Sequence, residues 1–112
     1  MRNKLRVYIA APYTLPDPCI NINAVLKVAN HLLNSGYAVY TPHLTHFQHI
    51  YNPRPKKDWL ELDKEFLKVC DVVWRLPGTS KGADEEVKLA KELGIPVVTT
   101  IDQLKKIKIV NK

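Results

Sequence analysis

The sequence predicts an α/β domain in which a parallel sheet is covered by helices on both faces. Three observations predict it. Short apolar runs alternate with segments whose apolar residues recur at helical spacing, glycine or proline marks most junctions, and no repeat or low-complexity segment interrupts the pattern. At 112 residues the chain can bury one core but not two, so residues 1–112 read as a single domain.

The elements follow in order. Leu5–Ala10 is a short apolar run ending in Ala10-Ala11-Pro12, which reads as a buried strand. Asn21–Ser35 places Val25, Val28, Ala29, Leu32 and Leu33 on one helical face, and Gly36 stops it. Tyr37–Thr41 is a second strand closed by Pro42, and residues 43–56, with Pro53 and Pro55, read as an irregular loop. The next helix, Trp59–Cys70, has the apolar stripe Trp59, Leu62, Phe66, Val69 and Cys70, with Lys57, Glu61, Lys64 and Lys68 facing away. Asp71–Leu76 is the third strand, followed by the turn Pro77–Gly82. The helix Ala83–Leu93 is stopped by Gly94, and Ile95–Thr99 is the fourth strand. Ile101–Ile107 reads as a short last helix, after which Ile107–Val110 can add an edge strand.

Two acids break this pattern. Ala83, Val87, Ala90 and Leu93 form the inner stripe of their helix, and at about 100° per residue Glu86 projects into its middle. Asp84, Glu85, Lys88 and Glu92 fall on the opposite side, while Asp63 lies within the stripe of its own helix in the same way. A carboxylate buried without compensation costs several kcal/mol or takes up a proton, so such residues are functional candidates. The structural alternative is an ion pair with a cation such as Arg75.

Composition narrows the class. With 46% hydrophobic and 25% charged residues, the chain has the balance of a soluble globular protein. No apolar run approaches the ~18 residues of a membrane span, and no signal-peptide pattern opens the chain. Cys19 and Cys70 lack metal-ligand spacing, and reduced thiols in a cytoplasmic protein are the expectation. A net charge of +6 suits an anionic ligand such as phosphate, or nucleic acid. No basic stretch is interleaved with exposed aromatics, so no nucleic acid is expected. Most lysines fit solvated helix faces and the run Lys105, Lys106, Lys108 and Lys112.

In open α/β sheets the ligand crevice lies beyond the carboxyl ends of the strands. That rule selects Ala10–Pro18, Pro42–Pro55 and Pro77–Gly82. In the last of these, Thr79, Ser80 and backbone amides at a helix start suit an anion, although an ordinary helix cap uses the same residues. His43, His46 and His49 recur every three residues, a spacing that three zinc-binding imidazoles could use. The prolines around them and the lack of a fourth ligand or supporting carboxylate favour no metal. His43 can instead contact substrate from the strand end, or be a structural loop residue.

Three stretches together resemble the nucleoside 2-deoxyribosyltransferase superfamily, which includes the 2′-deoxynucleoside 5′-monophosphate N-hydrolases. They are Val7-Tyr8-Ile9-Ala10-Ala11-Pro12, Asp63 eight residues before Asp71 in Cys70-Asp71-Val72-Val73, and Ser80-x-Gly82-x-x-x-Glu86-Val87-x-x-Ala90. Leu76-Pro77-Gly78-Thr79-Ser80-Lys81-Gly82-Ala83 is most similar to a small, largely uncharacterised branch, and the similarity runs from Val7 to about Val98. The resemblance implies a flavodoxin-like or Rossmann-like three-layer sandwich with a four- to five-stranded parallel sheet, and cleavage of an N-glycosidic bond by hydrolysis or deoxyribosyl transfer.

It also implies roles. Glu86 matches the nucleophile, Tyr8 the tyrosine that holds it, and Asp63 the aspartate that contacts the sugar or assists the departing base. Ser80 matches a serine that binds the 5′-phosphate, Pro12 and Gly82 lie in the matching stretches, and the rim residues Thr79, His43 and Trp59 are further candidate substrate contacts from their positions. Apart from the resemblance, Trp59 reads first as core or interface packing, with a nucleobase wall as the alternative. The partner is a nucleoside or nucleotide, no metal or organic cofactor is needed, and a homodimer is expected. The first loop departs from the phosphate-binding hydrolases: Ala11-Pro12-Tyr13-Thr14-Leu15-Pro16 replaces a glycine-serine-arginine type loop, leaving Arg75 and Lys81 as candidate cations. Two other functions fit: a nucleotide-binding module without turnover, and a phosphoribohydrolase, because Pro77-Gly78-Thr79 is loosely similar to the Gly-Thr loops of those enzymes.

Overall fold

The computed structural model describes residues 3–109. Four strands, β1 (Arg6–Ala10), β2 (Ala38–Tyr40), β3 (Val72–Arg75) and β4 (Val97–Val98), form an all-parallel sheet in the order β2-β1-β3-β4. Among the described residues α1 (Pro18–Asn34), α2 (Thr45–Tyr51), α3 (Lys56–Leu67) and α4 (Lys81–Glu92) connect them, and α5 (Ile101–Lys105) follows β4. This order, with helices on both faces, is flavodoxin-like. No helix among the described residues is long and apolar enough to cross a membrane.

The alternation of β1 divides the core. Val7 and Ile9 face a cluster built with Val25, Ala29 and Leu32 of α1 and Leu104 of α5. Tyr8 and Ala10 face the other side, with Leu67 of α3 and Ala83 and Ala90 of α4. A tyrosine is therefore fully buried on the α3–α4 face, and its register partner on β2, Tyr40, lies beside it.

Several boundaries differ from expectation. Residues 43–56 are not an irregular loop: a 3₁₀ turn at Pro42–Leu44 runs into α2. Proline fits the first position of such a turn. Because α2 buries no residue, it left no apolar stripe to read. Helix α1 begins at Pro18, before its apolar face, because the Asp17 carboxylate accepts from the amides of Cys19 (2.8 Å) and Ile20 (3.1 Å). Helix α3 begins at Lys56 and ends at Leu67, where the expected span was Trp59–Cys70. Its buried residues are Asp63 and Leu67, one turn apart, while Leu62, Phe66 and Val69 of the expected stripe are exposed. No strand forms over residues 107–109, and Val110 lies outside the described residues. Ile107 and Ile109 instead pack against the cluster beneath α1 and α5.

Candidate active site

Helix α4 starts where Ser80 caps it, with Oγ accepting from the Ala83 amide at 3.1 Å. Ala83 and Ala90 lie flat on the sheet, and Glu86, between them on the same face, is carried to the carboxyl end of β1. There the Tyr8 hydroxyl donates to Glu86 Oε2. Asp63, one turn before the buried Leu67, accepts at Oδ1 from the Tyr40 hydroxyl at 3.2 Å. The two tyrosine rings stack with centroids 5.5 Å apart, and Phe66 stacks on Tyr40 at 4.7 Å. Each carboxyl thus has its own phenol, and the phenols are in contact.

Neither acid forms an ion pair among the described residues. Arg75, the cation weighed as their partner, pairs with Asp84 at 3.0 Å. It also donates to the carbonyls of Gly78 (2.8 Å) and Leu76, bracing the turn that precedes α4. Burial pushes Glu86 up to about 7, against the opposing Tyr8 hydrogen bond. The nearby Asp63 charge adds to the rise, and Arg75 and Lys64 oppose it. Burial likewise pushes Asp63 up to about 7, opposed by Tyr40. Desolvation and the adjoining acids hold the Tyr8 and Tyr40 phenols well above their ordinary range, so both stay protonated donors.

The acids open onto a cavity of about 810 Å³ at the carboxyl end of the sheet. Glu86, Asp63, Ser80, Thr79, Gly82, His43 and Trp59 all line it, so these expected site residues share one wall system. Tyr8 lies beneath, reaching the site through Glu86. Pro12 is not on the wall. Its carbonyl accepts from His43 Nε2 at 2.8 Å, and its ring lies against Gly78, where an added Cβ would come within 2.7 Å of Pro12 Cγ. Gly78 also has a φ of 119°, which suits glycine. His43 is 5% exposed, and burial holds its imidazole below the usual range. The carbonyl partner requires Nε2 to carry the hydrogen, leaving Nδ1 as an acceptor with no hydrogen-bond partner among the described residues.

The other two imidazoles are occupied. His46 Nδ1 meets the Tyr13 hydroxyl, and His49 Nδ1 accepts from Trp59 Nε1 (2.8 Å) and the Arg54 amide (3.2 Å). Among the described residues no group of three or more His, Cys, Asp or Glu is placed to hold a metal ion. Trp59 therefore offers the cavity its ring and not its N–H. Lys81, Arg54 and Lys56 add cationic side chains to the lining.

Sequence reasoning missed Tyr40 and Tyr13. A signal existed for Tyr40: Val7-Tyr8 and Val39-Tyr40 occupy equivalent places on adjacent strands, in register, so both tyrosines face the same way. Tyr13 sits in an irregular segment where no period applies.

No curated protein matches the chain in sequence. Among solved structures, the 2-deoxyribosyltransferase of the psychrotolerant bacterium Bacillus psychrosaccharolyticus is similar in fold, with a TM-score of 0.63 and 20% identity. The similarity covers 95% of this chain and 77% of that one. A family model described as a domain of unknown function, DUF7768, matches residues 5–100, and the chain belongs to that family.

Proposed function

We propose that the protein cleaves the N-glycosidic bond of a (deoxy)nucleoside or its 5′-monophosphate, with Glu86 as nucleophile. One observation carries this reading: the buried Asp63 and the half-buried Glu86, neither in an ion pair among the described residues and each on a tyrosine phenol, line one cavity at the strand ends. Carboxyls held near neutrality can divide into one anion and one acid, as glycosidic cleavage requires. Glu86, which matches the nucleophile of the resembled superfamily, is the anion, and Asp63 is the acid.

A Glu86 oxygen attacks the anomeric carbon as the bond from that carbon to the base nitrogen breaks. The bond's electron pair leaves with the base, which takes its proton from Asp63. Before the ester forms, the Glu86 charge stabilises the positive charge that develops on the sugar. Water then attacks the anomeric carbon and gives its proton to the Asp63 carboxylate, and Glu86 departs as a carboxylate. For transfer, the nitrogen of a second base replaces the water. Thr79, Ser80 and Gly82 at the start of α4 receive the 5′ end of the substrate, while Trp59 and His43 wall the rest.

The test is a chromatographic screen for base release from nucleosides and their monophosphates, with and without an acceptor base. Release that falls at least about 10³-fold in Glu86→Ala supports the nucleophile. A wild type that releases no base, while Glu86→Ala still binds nucleotide, removes the enzyme reading and leaves a binding module. The homodimer belongs to the same proposal, and sedimentation that finds only monomer removes it.

A further inference from the structure

We propose that Tyr40 is a positioning residue: by donating to Oδ1 of Asp63, it leaves Oδ2 as the atom from which Asp63 passes its proton to the departing base. The inference rests on the reading above and adds a residue that no sequence motif marked.

The geometry supports it in three ways. Tyr40 is the one hydrogen-bond partner of the Asp63 side chain among the described residues, at 3.2 Å, and Asp63 is only 8% exposed. The Tyr40 ring is sandwiched between Tyr8, at 5.5 Å and 23°, and Phe66, at 4.7 Å and 6°, so its hydroxyl has a fixed direction. A carboxylic acid that accepts at one oxygen carries its hydrogen on the other. Because Tyr8 in turn holds Glu86, the stack also fixes the acid relative to the nucleophile.

The groups that bear on Tyr40 and Asp63 are Tyr8 of β1, Glu86 of α4 and Cys70 beyond α3, while Arg75 of β3 and Lys64 of α3 act on Glu86. Tyr40 draws Asp63 toward its ionised form while burial drives it the other way. Removing the hydroxyl alone therefore raises the pH at which Asp63 loses its proton.

Tyr40→Phe keeps the stack and deletes the donor. Carbon-13 NMR titration of the side-chain carboxyls, with Asp63→Asn assigning the signal, should show the Asp63 midpoint rising by about half a unit or more. The alkaline limb of kcat/KM should move the same way. With a natural base kcat should fall about tenfold at unchanged KM. The loss should vanish with a 7-methylpurine substrate, whose base leaves without taking a proton. On an Asp63→Asn background, Tyr40→Phe should add no further loss. An unmoved midpoint, or equal losses for both leaving groups, overturns the proposal. Should the wild type release no base, the proposed function fails, and the titration alone decides whether Tyr40 controls the Asp63 proton.

Discussion

Glu86 and Asp63 hold their protons more tightly in the folded chain than in the unfolded one, and this makes stability depend on pH. Both are pushed up to about 7 from ordinary carboxyl values of 4.5 and 3.8. The folded state therefore binds more protons across that interval, and the contribution, complete below about pH 4, is lost as pH rises through 7. For either acid the loss is on the order of a few kcal/mol. The double variant Glu86→Gln/Asp63→Asn should gain thermal stability relative to wild type between pH 5 and pH 8, read by thermal denaturation at both. A constant difference between the two proteins would contradict the burial assigned to the acids. Comparing the two proteins cancels His43, whose lowered value works in the opposite sense at acid pH. The inward placement of both acids was legible because helical period is a local property of the chain. Tyr40 was not, because its partner Asp63 is 23 residues away and only strand register brings them together.

At the scale of elements, caps and turns hold the acids in place. Ser80→Ala removes the acceptor for the Ala83 amide and should cost about 1 kcal/mol of stability. Because Ser80 also lines the cavity, base release should fall further than that loss alone explains. Gly78→Ala should cost more than Gly36→Ala, though both glycines have positive φ, at 119° and 93°. A Cβ at Gly36 meets nothing within 4 Å, whereas at Gly78 it runs into Pro12. The difference in denaturation midpoint between the two variants measures that contact, and equal costs would deny it. Strands and the long helices could be read from apolar spacing, but α2 could not. Its polar side chains turn to the cavity and to Tyr13 and Trp59, and Phe47, Ile50 and Tyr51 stay exposed.

For the molecule as a whole, the sheet order decides where chemistry can occur. After β1 the chain adds β2 on one side and β3 on the other, so the connections diverge beyond β1 and leave a crevice there. Tyr8 stands under it, and α3 and α4, on one face of the sheet, each bring an acid; alternation in the sequence pointed to the crevice and helical spacing to the acids, whereas Tyr8 came from the resemblance. What alternation could not show is how the three rim segments meet. His43 of the second grips the carbonyl of Pro12 in the first, and Pro12 wedges against Gly78 of the third, which Arg75 ties to Asp84 of α4. In mechanical language Pro12 is the keystone of an arch. An arch has no leaf that swings alone, so passage through its mouth requires all three abutments to yield together. Amide hydrogen exchange should accordingly find the three segments opening in one cooperative step. Replacing His43 by alanine, which removes one abutment, should split that step and let the first segment open by itself.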